Sequence, residues 1–190
     1  RLRQLPHVTG VTPSLYGAVF LAGPMQSDGA YLKGILLDDS VREDGLARYM
    51  KEGSLDRLGA ASRPPGLVLG ARLSERTGLV VNSVARVISP QGEVTPFGPQ
   101  ATTFRFRVVG AFETGFYDLD AGWAFTTLES AQAVLGLSDV VNAIELRLDD
   151  LQRAPEVARE AERVAGEGLA ATHWMEQNRQ IFNALRMEKA

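Results

Sequence analysis

The protein has 190 residues, of which 45% are hydrophobic and 23% are charged, a balance typical of a globular domain and not of a disordered chain or a fibre. Its net charge of -3 argues against a nucleic-acid partner, because phosphate binding needs a concentrated positive surface. The sequence contains no cysteine, which excludes disulfides, thiolate nucleophiles and zinc–thiolate sites.

The apolar runs and the ends of the sequence bear on its relation to a membrane. The longest mostly apolar run, residues 15–23, is about half of the roughly 20 residues that a bilayer-crossing helix needs. The sequence begins with Arg1, shows no secretory signal, and stops inside an amphipathic helical pattern, residues 173–190. We therefore expect a piece cut from a longer protein.

Glycine and proline divide the first half of the chain into short elements. Residues 8–23 are predicted to be extended segments broken at Gly10 and Pro13, and residues 30–38 a mostly buried strand. Residues 41–50 are predicted to be irregular or a short helix. In residues 63–70 a strand that follows two prolines is predicted to lead into a short helix that ends with a left-handed cap at Gly78.

The second half is predicted to alternate strands with helices. In the strand 103–112, aromatic and aliphatic residues alternate with Arg105 and Arg107, which indicates one wet face. Thr127 is a candidate N-cap for a helix that follows a strand. The other expected elements are strands at 81–88, 142–150 and 169–174, and helices at 154–168 and 173–190. The pattern favours a mixed α+β fold with short strands.

Residues 89–103 connect two predicted strands and do not fit an ordinary loop. They contain Pro90, Pro96 and Pro99 together with two glycines, and the aromatic Phe97 lies at their centre. Proline cannot donate to a strand ladder and has a fixed φ, which predicts a stiffened arm or hairpin rather than a central strand. Two interpretations remain open: a contact arm, or a mobile surface loop whose Phe97 folds back on the body.

No group of residues predicts catalysis or metal binding. His7 and His173 lie far apart in sequence, and neither has a ligand-spaced partner. The acidic stretch 38–44 lacks the glycine and closing glutamate of a calcium loop, and residues 68–78 lack both phosphate-loop patterns. The strand 104–109 lacks the glycines of an RNA-binding signature. We expect no enzyme, no metal and no cofactor in this chain.

Several stretches, in this order, resemble the extracytoplasmic domain of the lipoprotein-releasing ABC transporter permeases, the LolC/LolE family, and more distantly the MacB-like periplasmic core domain. The likeness covers essentially the whole chain, and the ending and the arm are its most specific parts. The stretches are "GLVLGARLSERTGLVVNSVARVISP" (66–90), "TPFGP" (95–99), "FRFRVVGAF" (104–112), "GWAFTTLESAQAVLGL" (122–137) and "WMEQNRQIFNALRMEK" (174–189).

The resemblance implies a fold with two parts. Residues 1–28 and 140–190 would form a membrane-proximal, Porter-like α/β subdomain. Residues 29–139 would form an inserted, mainly β, Sabre-like subdomain that carries the arm 89–103. The resemblance also implies that residues 182–189 continue into a second transmembrane helix, that a first one precedes Arg1, and that the fragment lacks the first strand of its Porter-like half.

The implied function is lipoprotein release at the bacterial inner membrane, with this domain in the periplasm and without catalysis of its own. A separate cytoplasmic subunit would use the ATP, a second permease copy would complete the complex, and the domain would pass a lipoprotein to a periplasmic, LolA-like chaperone. The residues implied in partner binding are Arg86, Pro90, Pro96, Phe97, Gly98 and Pro99. Thr103 and Phe104 replace a polar pair that follows the arm in the LolC branch.

Two other functions stay open at this point. A MacB-like efflux or mechanotransmission domain would contact an adaptor protein, but such domains usually lack a proline-rich arm. A free-standing ligand-binding module would have natural ends and no neighbouring apolar stretches of about 20 residues in its gene.

Overall fold

The computed structural model of the chain describes residues 1–37, 45–60, 62–95, 98–166 and 168–177. For residues 91–95, 98–100 and 174 it describes the backbone only. Three parts of the sequence interpretation lie outside these residues: the acidic stretch 38–44, Pro96 with Phe97, and the final helix beyond Gln177. Among the described residues, no helix combines the length and the apolar composition that a bilayer crossing needs.

The predicted α+β class is confirmed. The described strands are β1 Val8–Ala22, β2 Ser27–Ile35, β3 Met50–Gly53, β4 Gly66–Gly70, β5 Val84–Thr95, β6 Gly98–Phe112, β7 Trp123–Thr127 and β8 Ala143–Leu148. The described helices are α1 Ala71–Thr77, α2 Tyr117–Gly122, α3 Leu128–Leu135, α4 Ala154–Ala165 and α5 Trp174–Gln177. Short 3-10 segments lie at Leu2–Gln4, Leu46–Tyr49, Leu55–Leu58 and Leu151–Arg153.

The chain forms two compact units. The larger unit comprises Pro13–Ala143, and the smaller one combines Arg1–Thr12 with Ile144–Ala190. The smaller unit is therefore built from both ends of the sequence. The Porter-like limits, 1–28 with 140–190, and the Sabre-like limits, 29–139, stay a prediction.

The sheet of the larger unit closes on itself. Its strands follow the order β2-β7-β4-β6-β5-β1, and β1 also pairs with β2. β3 adds to β6. The β2–β7 and β4–β6 pairs are parallel, and the β1–β2, β1–β5, β4–β7 and β5–β6 pairs are antiparallel. Six strands thus form a ring in which each has a neighbour on both sides.

Two apolar clusters hold this unit together. They are separate because side chains on the two opposite faces of its strands are buried. The larger cluster contains Phe106 and Val108 of β6 with leucines from β1, β2, β4 and α3. The second cluster lies on the other face and contains Val68, Val109 and Phe112. The predicted alternation is confirmed from Phe104 to Val108, since Phe106 and Val108 are buried while Arg105 is exposed. The wet face does not continue to residue 112, because Val109 and Ala111 are buried as well.

The predicted helix ends of the larger unit are confirmed. α1 ends at Gly78, whose φ of 71° is the left-handed conformation that favours glycine. Its N–H donates to the carbonyl oxygen of Ser74. The Thr127 side chain accepts a hydrogen bond from the Ser130 N–H at 3.3 Å, and so caps α3.

Two predictions about strands were wrong. β1 is continuous through Gly10 and Pro13, because its ladder with β2 begins only at Leu15, beyond the proline that lacks an N–H. Residues 169–173 do not form a strand. The N–H of Ala171 instead donates to the Glu162 side chain of α4 at 2.7 Å. This backbone N–H is therefore bonded to a side chain of a helix and not to a neighbouring strand.

The smaller unit contains β8 beside the first part of β1, and α4. The predicted helix at 154–168 is confirmed as α4, with a proline in its first turn. Ala154, Val157 and Ala161 form its buried stripe, at the spacing of one helix face.

Candidate functional site

The predicted arm is built by β5 and β6, which pair as an antiparallel hairpin. Their ladder runs from Val84 opposite Arg107 to Thr95 opposite Gly98. The hairpin that the prolines and glycines of residues 89–103 predicted is therefore confirmed. Its use as a contact arm stays a prediction.

A register shift marks the place where the hairpin leaves the ring. Ser89 pairs with Thr102 and Glu93 pairs with Gln100, so residues 90–92 oppose the single residue Ala101. Pro90 is exposed and lies in this bulge. A bulge tolerates proline because the extra residues have no ladder partner that would need an N–H.

The candidate partner-binding residues follow this hairpin. Arg86 lies on β5 before the bulge, and its side chain is exposed. Gly98 and Pro99 begin β6, opposite Thr95 and Val94. Pro96 and Phe97, the expected anchor, lie outside the described residues. The hairpin thus gathers Arg86, Pro90, Gly98 and Pro99 along its two strands, but their binding role stays a prediction.

Arg86 has a basic neighbour that sequence reasoning did not single out. It lies directly opposite Arg105 of β6, and both side chains are exposed. Like charges directly opposite each other destabilise a strand pair. In the described ranges of the chain, neither guanidinium forms an ion pair. Two arginines at the base of the arm would favour an acidic partner surface. The even spacing of Arg105 and Arg107 in "FRFRVV" indicated their face, but not the cross-strand partner.

Ser89 lies at the start of the bulge with its side chain buried. Its Oγ has no hydrogen-bond partner among the described residues. A buried hydroxyl without a partner is unfavourable, so this group is a local cost of the bulge.

A second surface feature was not anticipated from the sequence. Trp123 of β7 lies with its ring centroid 5.3 Å from that of Tyr31 and 6.0 Å from that of Tyr16, on neighbouring strands. Tyr31 and Tyr16 are both more than 40% exposed. The side-chain amide of Asn142 holds the Tyr16 backbone, accepting from its N–H at 3.0 Å and donating to its carbonyl oxygen at 2.7 Å. Only the strand order brings these aromatic residues together.

The described residues hold no group of three or more histidine, aspartate or glutamate side chains placed to bind a metal ion. His7 contacts Asp149, with 2.9 Å between Nδ1 and Oδ1, and the pair is exposed. The Asp149 N–H also donates to the His7 carbonyl oxygen at 3.1 Å. This pair joins the start of β1 to the end of β8, which gives it a structural role.

The chain is similar to known proteins in sequence and in structure. No protein-family model matches the chain. The chain is 32% identical over 188 residues to a protein of Xylella fastidiosa (strain 9a5c) named lipoprotein-releasing system transmembrane protein LolC, across 97% of the chain. It is 30% identical over 189 residues to the protein of that name from Neisseria meningitidis serogroup B (strain MC58), across 96% of the chain. The resemblance to the LolC/LolE permeases is confirmed.

The chain spans 44% of the length of these LolC relatives. The likeness therefore concerns one region of a longer transmembrane protein, and it covers nearly every residue of the present chain.

Solved structures confirm the MacB-like fold. The extracellular domain of the noncanonic ABC-type transporter YknZ from Gram-positive bacteria has a TM-score of 0.56 and 11% identity, covering 86% of this chain and 77% of that one. The periplasmic region of MacB from Actinobacillus actinomycetemcomitans has a TM-score of 0.51 and 14% identity, covering 86% and 70%. At such low identity the likeness shows the fold alone.

Proposed function

We propose that this chain is the periplasmic domain of an inner-membrane ABC transporter permease that releases lipoproteins and hands them to a periplasmic chaperone. The observation that carries the proposal is the 32% identity to LolC along 97% of the chain. The paired β5–β6 hairpin supports it, because it supplies an arm at the position where the resemblance implies chaperone recruitment.

In this proposal the domain is not catalytic. A separate cytoplasmic subunit hydrolyses ATP, and the resulting motion reaches the domain through transmembrane helices outside this sequence. The lipoprotein, the ATPase subunit and a second permease copy are the other partners. The closed ring of the larger unit suits a rigid relay, since each of its strands is bonded on both sides.

The arm binds the chaperone through the apolar Phe97 and through the two arginines where the arm leaves the ring. Phe97 is the anchor, because a single aromatic side chain that enters an apolar pocket can supply much of a binding energy. The prolines lower the entropy lost on docking, since they restrict the free arm. Arg86 and Arg105 meet acidic groups at the rim, where charge mainly sets the rate of association.

The experiment is calorimetric titration of the chain with the purified LolA-like chaperone from the same organism. Phe97→Asp is expected to weaken binding at least about tenfold with an unchanged thermal midpoint, as for loss of an anchor side chain. The matched control is Val80→Asp, which places the same charge at an exposed apolar residue just before β5, at the end of that strand away from the bulge; Val80 is 63% exposed. Unchanged affinity of Phe97→Asp, or equal loss in both variants, would reject the arm as the chaperone site.

A further inference from the structure

A second exposed apolar group lies on the larger unit, in residues 116–119, which we call the knob. Phe116 and Tyr117 are each 65% exposed, and Leu119 is 38% exposed. Asp118, the remaining residue of the knob, is exposed as well. Single exposed apolar side chains are common on protein surfaces, but three within four residues are a concentration of exposed apolar surface, the kind of feature that marks interaction sites.

The knob is held by a buried carboxylate. Asp120 is only 4% exposed, and it accepts hydrogen bonds from the Thr114 N–H and Thr114 Oγ1, both at 2.8 Å, and from the Gly115 N–H at 3.0 Å. Thr114 Oγ1 in turn accepts from the Phe116 N–H at 3.1 Å. The turn that precedes the knob is therefore fixed by side-chain contacts on its inner side.

The helix α2, whose first residues belong to the knob, is fixed as well. A Cβ atom on Gly70 would lie 2.2 Å from the carbonyl oxygen of Asp120, so β4 and α2 approach as closely as their backbones allow. Arg76 of α1 donates to the Ala121 carbonyl oxygen at 2.7 Å and pairs with Asp28 at 2.8 Å. Because the free turn is already ordered, an aromatic side chain held on it loses little further entropy when it binds.

The charge of the knob restricts its partner. Asp118 is the only charged residue among 116–119, and in the part of the chain that the structure describes it forms no ion pair. An exposed carboxylate beside aromatic side chains is repelled by an anionic membrane surface. It is attracted by lysine or arginine beside an apolar pocket, and opposite charges at a rim promote association.

We propose that the knob is a second docking site, which inserts Phe116 and Tyr117 into an apolar pocket that lysine or arginine flanks on another protein. The site is separate from the β5–β6 arm and does not depend on the function proposed above. Asp120 acts as a positioning residue, because it orders the turn and contributes no contact to the partner.

The test uses the full-length protein in its own cells, with the photo-reactive residue p-benzoylphenylalanine in place of Tyr117. The matched control carries the same residue in place of Val80, which is 63% exposed on the same unit. We expect a protein adduct at position 117 and not at position 80. Its cross-linked peptide, sequenced by mass spectrometry, is expected to contain apolar residues next to lysine or arginine.

The charge requirement is tested in the same cells. Asp118→Lys is expected to lower the adduct yield about tenfold and Asp118→Asn by less, because the lysine replaces attraction with repulsion. Asp120→Asn is expected to lower the yield although Tyr117 and Asp118 are unchanged. A lipid adduct alone, a yield equal to that at position 80, or a yield insensitive to Asp118→Lys would overturn the proposal.

Discussion

The arm and the knob present exposed surface in the same unit, but they are ordered in different ways. The arm extends two strands of the ring, so its order is spread over a ladder of backbone hydrogen bonds interrupted by one bulge. The knob follows a short turn, and its order depends on a few contacts: the hydrogen bonds of Asp120, the close approach of Gly70 and the hydrogen bond of Arg76. A ladder tolerates the loss of one contact, whereas a turn held by so few contacts does not.

This difference predicts where single substitutions act. Changes at the arm are expected to alter partner binding with little effect on stability, because Pro90, Ala101 and Thr103 are exposed. Changes beneath the knob are expected to alter stability and binding together. The following experiments test this contrast, from the largest expected effect to the smallest.

Gly70→Ala is expected to have the largest effect. The new Cβ would overlap the Asp120 backbone, with its carbonyl oxygen at 2.2 Å and its carbonyl carbon at 2.6 Å, so β4 and α2 must separate. We expect a loss of about 3 kcal/mol in the free energy of unfolding, measured with urea. The control is Gly122→Ala in α2, where a Cβ meets nothing within 4 Å. Equal stability of the two variants would contradict the close approach.

Asp120→Asn is expected to lower the free energy of unfolding by about 2 kcal/mol, because one of its three donors then faces an amide NH2 instead of an oxygen. Amide exchange at Gly115 is expected to accelerate as the turn opens. Asp118→Asn, an identical change at an exposed carboxylate two residues away, serves as control and is expected to stay within about 0.5 kcal/mol. The account fails if Gly115 exchanges at the wild-type rate in Asp120→Asn.

Arg105→Glu is expected to raise the free energy of unfolding by about 0.5 kcal/mol, because it replaces a like-charge pair with Arg86 by an opposite-charge pair. Arg107→Glu provides a control of opposite sign, since Arg107 donates to the Asn82 carbonyl oxygen at 3.1 Å and that bond would be lost. The same denaturant titration measures both. Destabilisation by Arg105→Glu would show that the two arginines do not repel each other.

The smallest expected effect is a loss of stability at alkaline pH, from an ion pair just before the turn that precedes the knob. Lys51 contacts Glu113 with 3.0 Å between Nζ and Oε2, and the hydrogen bond to this carboxylate raises the pKa of Lys51 above its ordinary 10.5. The folded pKa is the higher one, so the contribution of the pair to stability is complete below about pH 10 and is lost as the pH rises through the folded pKa.

Thermal midpoints between pH 9 and pH 12 measure this dependence. The difference between wild type and Lys51→Gln is expected to be small, because the pair is exposed, and to vanish at the alkaline end. Glu113→Gln is expected to behave in the same way. A difference that persists unchanged at the highest pH would mean that Lys51 stabilises the fold through its aliphatic stem instead of its charge.

Sequence reasoning was sufficient for features of the fold that depend only on residues a few positions apart in the chain. Alternation in β6, the glycine cap of α1 and the threonine cap of α3 are such cases, because each depends on the periodicity or chemistry of adjacent residues. The proline content of residues 89–103 also predicted a hairpin, since proline restricts which strand positions it can occupy.

Features that depend on which strands become neighbours could not be predicted in this way. The interruption expected at Pro13 was wrong because the partner ladder starts after it, and that partner is not readable from β1 itself. The same holds for the pairing of Arg86 with Arg105 and for the cluster of Tyr16, Tyr31 and Trp123. Asp120 was missed since its burial follows from Gly70, fifty positions earlier in the chain.

The bulge at Pro90 affects the tendency of the chain to self-associate at high protein concentration. Inside the ring every strand is flanked, but beyond Ser89 the described part of the hairpin pairs only with itself and keeps two outer edges. Such edges can recruit foreign strands and start polymers. Pro90 and Pro99 interrupt the row of donors along both of them, so the residues that stiffen the hairpin also guard it against self-assembly.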